Sequence, residues 1–322
     1  MKKLCVVLIL FVISGALFAG GGAEEPTEFP HEKTIRLVIP YGPGGGVDLA
    51  SRVLAAVAPE YIDQRIDIVS MPGAGGQEAI EFVMNEPADG YTLLVADWGS
   101  LVSPALQEEL TYTVDDWTMV YQISEVTPIF FTSSDHPVQS VEDWVDALEE
   151  EPESLAVAHG RAFGGPHLRL ILFEEIAGIQ NRHIPTTGGA EAVSFVMAGT
   201  ADIGASVTST IASSVEAGEL VPLAVITDER HPDFSDTPTL LELGYDVVLP
   251  SWYSVMAYQD VPDDIVATIH AAFTEAMQTA SAERMARDAG VDRRFRNLDE
   301  LQAMYNETIE NLTTVLTAIG RM

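Results

Sequence analysis

The sequence predicts an α/β protein of two lobes, each a mainly parallel sheet flanked by helices. Three observations lead to that class. The chain has 322 residues, 47% of them hydrophobic, enough for a sizeable core and long enough for two domains. Short apolar runs alternate with helical patterns along most of its length, as in parallel sheets with right-handed crossovers. One unit occurs twice, at residues 35–57 and again from residue 155: an apolar run, a glycine-rich loop and a helix start.

Before the first unit, residues 1–19 read as a secretory signal peptide. Lys2 and Lys3 supply the positive start, residues 4–13 are apolar, and Ala19 is a small residue suited to cleavage. The segment is short for a membrane span. Cleavage near Ala19 would leave residues 20–27 (GGGAEEPT) as a flexible tether and place the mature protein outside the cytoplasm, secreted or periplasmic. Cys5 is the sole cysteine and leaves with the peptide, so no disulfide is expected. No later stretch approaches the roughly 18 apolar residues of a membrane helix. The chain carries 16 Lys+Arg against 49 Asp+Glu, a formal charge of −33, which excludes binding to nucleic-acid phosphates. The acids are spread along the chain, giving a solvated acidic surface that stays soluble in concentrated salt.

The first unit, IRLVIPYGPGGGVDLASR at residues 35–52, organises the rest. Its strand ends at Pro40 and its helix buries Leu49, Val53, Leu54 and Val57. Glycines without a Cβ let backbone N–H groups approach a ligand. The helix N-terminus adds unpaired N–H groups and partial positive charge, so the loop is a candidate anion site. A plain βα turn would need fewer glycines. Both nucleotide loop patterns fail, since Gly46 is followed by Val47-Asp48 rather than Lys-Ser/Thr and position 47 is not glycine. A small carboxylate fits better than a polyphosphate, which Asp48 would repel.

A second strand covers residues 65–70 and runs into the turn PGAGG at 72–76, followed by a helix through Ala79, Ile80, Phe82 and Val83. A third strand, residues 91–96, ends at Asp97-Trp98. Ligands of such sheets sit beyond the carboxyl ends of the strands, so the three loops should line one crevice. Residues 119–124 and 129–132 read as extended. Ser140 and Asp143 form a capping box for a helix through Trp144 and Leu148. The second unit follows: strand 155–158, loop HGRAFGG at 159–165, and a helix opened by Pro166. Residues 183–189 form the next strand-to-helix loop, before a helix at 190–197. Residues 201–206 and 220–227 are strands, 238–244 a short helix stopped by Gly244, and 251–257 a return strand. Helices close the chain: one from Pro262 through Ile265, Ile269, Phe273 and Met277, a shorter one to Gly290, and an amphipathic one at 298–319. The last buries Leu301, Met304, Tyr305, Ile309, Leu312, Val315 and Leu316.

Catalytic and metal constellations are weak. His159 and His167 flank the second loop without metal-ligand spacing, which favours a capping or core role. Ser206, His167 and Asp202 can be assembled into a triad on paper, but no G-x-S-x-G elbow accompanies them. No catalytic residue, metal or cofactor is therefore expected.

Taken together, the pieces at 35–52, 72–76, 89–94 (DGYTLL), 159–167, 183–190 (HIPTTGGA), 218–225 (GELVPLAV), 236–244 (DTPTLLELG) and Trp252 resemble the substrate-binding proteins of tripartite tricarboxylate transporters, the Bug-type extracytoplasmic receptors. They stand in the family's order and cover nearly all of the mature chain. The resemblance implies a type II periplasmic-binding fold whose lobes close on a ligand. It implies a first lobe at residues 28–124 plus 250–322 and a second at 125–249. It also implies a non-enzymatic receptor, a monomer, that captures a small carboxylate and delivers it to integral membrane permease subunits. The family holds carboxylates through backbone N–H groups of its glycine loops. Carried onto this chain, with the residues beside those loops, the candidates are Tyr41, Pro43, Gly44, Gly45, Gly46, Val47 and Asp48 in the first lobe. Gly160, Arg161, Ala162, Thr187 and Asp202 are their counterparts in the second. Asp48 either caps its loop, meets an amine on the ligand, or pairs with Arg52 one turn on. Asp97 and Trp98 depart from the small or polar pattern expected there. Trp98 either floors the ligand or packs under the loops, and Arg161 either offers a bidentate partner to a carboxylate or pairs with a surface acid. A sensor feeding a kinase is the alternative receptor role, and a small α/β hydrolase the alternative from another class.

Overall fold

The computed structural model describes residues 29–249 and 251–321; the signal peptide and tether read from the sequence lie outside the described residues. Among the described residues, ten strands form two five-stranded sheets. The first contains β1 (Ile35–Ile39), β2 (Ile66–Ser70), β3 (Thr92–Ala96), β4 (Trp117–Val126) and, from far along the chain, β10 (Ser251–Tyr258), in the order β2-β1-β3-β10-β4. The second contains β5 (Pro128–Ser133), β6 (Ala156–His159), β7 (Arg182–Pro185), β8 (Ile203–Val207) and β9 (Leu220–Val225), in the order β7-β6-β8-β5-β9. The two orders are the same topology written twice. In each sheet two ladders are parallel and two antiparallel, because one strand, β10 or β5, runs against both neighbours. The sheets are thus mixed, with four strands pointing one way and a reversed strand inserted.

Each sheet is covered on both faces, and the alternation of side chains along its strands says which face each residue serves. In β1, Ile35, Leu37 and Ile39 pack toward α1 (Gly46–Val57), beside which lies the short α2 (Pro59–Ile62). Val38 points the opposite way, toward α3 (Gln77–Met84) and α4 (Val102–Gln107). In the second sheet Phe130 and Val157 face α5 (Val141–Glu150) and α6 (Gly165–Ala177). Ile129, Phe131 and Ala158 face α7 (Gly189–Met197) and α8 (Thr208–Glu216). After β10, α9 (Asp263–Met277), α10 (Ala280–Asp288) and α11 (Leu298–Ala318) return to the first sheet: Ile269 and Phe273 join one face, Leu301, Tyr305, Leu312 and Leu316 the other.

Residues 238–244 differ from the helix read in the sequence. They make a single turn. The Thr239 hydroxyl accepts from the Glu242 N–H while the Glu242 carboxylate accepts from the Thr239 N–H, a complete N-terminal cap. Gly244, at φ 92°, then ends the helix within that turn, and Tyr245 N–H closes onto Leu240 O. Start and stop signals stand too close together to leave a helix between them. No helix among the described residues is long and apolar enough to cross a membrane.

Candidate functional site

The carboxyl ends of β1, β3, β6 and β8 converge on a cleft between the sheets. The structure is closed around it. Gly42 N–H donates to Thr187 O (3.4 Å), the Ser103 hydroxyl donates to Phe163 O (2.7 Å), and Leu168 of α6 packs among the core residues of the first sheet. Inside lies a cavity of about 50 Å³, small enough to admit only a compact ligand. Tyr41, Gly45, Gly46, Val47 and Asp97 line it from one side, and Gly160, Arg161, Arg169, Ser206 and Thr210 from the other.

Seven of the sequence-predicted residues meet here: Tyr41, Gly45, Gly46, Val47, Asp97, Gly160 and Arg161. The first loop is set by Asp48. Its Oδ2 accepts from Gly44 N–H (2.8 Å) and from Arg52 Nε (2.8 Å), folding the loop back onto the first turn of α1. Two of the alternatives weighed for Asp48, the loop cap and the pair with Arg52, are therefore satisfied at once. Gly46 must lack a side chain, since a Cβ there would stand 2.5 Å from Tyr253 Oη and 2.8 Å from Val207 Cγ2.

The other seven candidates do not line this cavity. Asp48 is buried behind the loop that it caps. Gly44 turns its N–H to Asp48, and Pro43 is exposed. Ala162 and Thr187 line an open groove of about 470 Å³ beside the cavity, and the Thr187 N–H and hydroxyl are both taken by Glu191 (2.6 and 2.9 Å). Trp98 packs beneath the site, with the Arg169 guanidinium 5.0 Å from its ring centroid. Asp202 sits at the far end of the second sheet. It precedes β8, its Oδ2 accepts from Ala156 N–H (2.7 Å), and its Oδ1 lies 3.1 Å from His136 Nε2. A strand of five residues, at about 3.3 Å each, separates it from the cleft.

Arg161 reaches across the cleft. Its Nη2 lies 3.4 Å from Glu108 Oε1, its side chain covers Gly75 in the second glycine turn, and its Nη1 is buried without a partner. It borders both the cavity and the open groove, so it stands at the doorway.

Arg169 is the charged cavity residue that sequence reasoning missed; Ser206, Thr210 and Tyr253 also line the cavity without having been read as site residues. It is 2% exposed, its Nε donates to Leu249 O (2.8 Å), and its Nη2 has no partner. A signal was available. Arg169 stands amid Leu168, Leu170 and Phe173, all fully buried, and a charge in so apolar a helix needs a polar face to look at. Burial lowers its ionisation to about 10, partly opposed by Asp97, so it remains a cation at neutral pH. Facing it, Asp97 Oδ1 accepts from Tyr41 Oη (2.8 Å) and Ser100 N–H (2.8 Å). Burial first, and Asp97 next, raise the Tyr41 and Tyr253 phenols, so both stay protonated donors.

Behind the second loop, His159, His167 and His183 bring one nitrogen each within 4.8 Å of one another, the one such group among the described residues. Hydrogen bonds fix their protons. Phe163 N–H donates to His167 Nδ1 (2.7 Å), so the His167 proton is on Nε2, which meets His183 Nδ1 (2.7 Å). His183 Nε2 then meets Glu174 (2.9 Å). The nitrogens that a metal would need on His167 and His183 are engaged in this chain. Burial pulls His159 down to about 4 and His167 to about 3, assisted at His167 by the other two imidazoles. The unfolded values lie near 6.5, so between these limits the unfolded chain binds more protons. Their contribution is complete above pH ~6.5 and falls away as the pH drops toward 4 and 3, by up to about 1.4 kcal/mol per pH unit per histidine. Urea unfolding at pH 7 and pH 5 should show a larger loss in the wild type than in His167→Gln, whose amide can still accept from Phe163. Equal losses would remove these histidines from the account.

Comparisons with known proteins agree with this architecture. A family model described as "Tripartite tricarboxylate transporter family receptor" matches residues 50–321. Protein BugT of Bordetella pertussis is 24% identical over 324 residues, covering 99% of this chain and 98% of its own. A Rhodopseudomonas palustris protein solved with adipate superposes with a TM-score of 0.85 at 26% identity, over 91% of this chain and 99% of that one. MatC from the same species, solved with malate, shares the fold with a TM-score of 0.84 at 24% identity, over 89% of this chain and all of its own.

Proposed function

The chain belongs to the tripartite tricarboxylate transporter receptor family, and from that premise we propose that it captures a small carboxylate between its lobes and hands it to a membrane permease. The observation that carries this reading is the closed cavity, where the N-terminal ends of α1 and α6 and the buried Arg169 offer donors to an anion. Two helix N-termini and a desolvated guanidinium are a strong anion environment. The binding of adipate by a relative of similar shape supports the ligand class. In this reading residues 28–124 with 250–322 form one lobe and 125–249 the other, and the receptor works outside the cytoplasm as a monomer. Closure follows from the contacts that the ligand makes to both lobes at once.

A thermal-shift screen of mono-, di- and tricarboxylates, run in high salt to screen the acidic surface, tests the proposal. A ligand at 100 times its Kd should add about 2.7 kcal/mol of stability. No shift with any carboxylate, together with turnover of an ester or amide, would move the protein to the hydrolase class. The cavity's size predicts that compact acids shift the melting point more than citrate-sized ones.

A further inference from the structure

The cavity holds one buried cation and one buried anion, and they do not pair with each other. Arg169 lines the site, and its Nη2 is buried without a partner. Asp97 is 7% exposed, and the hydrogen bonds described for its carboxylate both fall on Oδ1, leaving Oδ2 without a donor. Both line the same small space. The other cation at the wall, Arg161, meets Glu108 through Nη2 and keeps a buried Nη1 without a partner. A plain carboxylate ligand would place a second negative charge in the small site beside Asp97, and Arg169 would then face two carboxylates at once. Like charges confined without water are costly. A ligand that brings a cationic donor removes that conflict.

We propose that the ligand is a compact amino acid, its carboxylate bound to Arg169 and its ammonium to Asp97. The assignment rests on the carboxylate-receptor reading and narrows it. Each charge of the ligand meets its opposite, and the site stays neutral overall. Tyr41 has a defined part: by donating to Oδ1 it orients the Asp97 carboxylate so that Oδ2 is the oxygen offered to the ligand. Ser100 N–H holds the same oxygen from the other side.

Titration calorimetry with pairs matched in carbon skeleton tests it: alanine against propionate, and aspartate against succinate, with the 2-hydroxy acids lactate and malate as a third arm. The amine should bind at least ten times more tightly than its desamino partner and than the hydroxy acid. Asp97→Asn should weaken the amine at least tenfold and bring the desamino acid up to or above it. Tighter binding of propionate, succinate or the hydroxy acids by the wild type would overturn the proposal, as would an unchanged amine affinity in Asp97→Asn. Should only the plain acids bind, the receptor reading stands and the zwitterion falls. Should nothing in any arm bind, the zwitterion falls, and the receptor reading is decided by the wider carboxylate screen.

Discussion

Gly99→Ala should hold the lobes apart and weaken ligand binding by about 1–3 kcal/mol, the usual cost of forcing a methyl group into a close-packed contact. Gly99 follows Trp98 on the first lobe and meets the start of α6 on the second. A Cβ there would overlap the Gly165 N–H and stand 3.0 Å from Gly165 Cα, and these are backbone atoms that cannot rotate away. Since the clash lies between lobes, each lobe can fold as before and the penalty falls on closure. Calorimetry of any ligand found by screening gives the affinity. Small-angle scattering gives the shape: the wild type should contract on binding and the variant should not. A variant that contracts and binds like the wild type would show that the two loops do not need to touch.

Arg169→Met should separate binding from stability. Methionine keeps much of the stem volume against Trp98 but removes the guanidinium. Ligand affinity should fall by about 1.5–3 kcal/mol, the range for a hydrogen bond to a charged group. The ligand-free protein should lose little, since removing a buried charge recovers its desolvation cost while Leu249 O loses one donor. Affinity by calorimetry and unfolding by urea, taken on the same preparation, check the two halves of the expectation. Unchanged affinity would reduce Arg169 to a packing residue and remove the main support for the anion end of the site.

How much of this was legible in the sequence depends on how local the signal is. The two strand–loop–helix units were readable because apolar run, glycines and helix start are consecutive, and both loops do border the cleft. Asp97 is legible as a cavity-lining residue because it breaks the pattern after β3, beside the glycine loops. Trp98 breaks the same pattern, but a neighbour in sequence points the opposite way at a strand end, and Trp98 lies under the site while Asp97 faces into it. Asp202 was misplaced for a similar reason: it precedes β8 at the wrong end, and only the strand direction reveals that Ser206 and Val207 reach the cleft instead. Arg169 was invisible to loop-based reading because it lies one turn inside a helix. Its partners, Leu249 O and Trp98, are about eighty and seventy residues away in sequence. The reversed strand β10 was expected as a return strand, but its insertion between β3 and β4 follows from pairing, which no local pattern encodes.

That insertion imposes an order on assembly. Strands β3 and β4 touch each other only through β10, and β10 is made 155 residues after β3 ends. At translation rates of about 5–20 residues per second, the gap lasts roughly 8–30 s. During it the first sheet has two open edges, and β4 has no partner at all in its own sheet. The second sheet, by contrast, is contiguous from β5 to β9 and can close as soon as its last strand emerges. The nascent chain therefore completes its later-made lobe first, and the unpaired edges of β3 and β4 are the surfaces most exposed to mispairing with other chains in that interval. A chaperone shielding those two edges would act where the growing protein is most vulnerable.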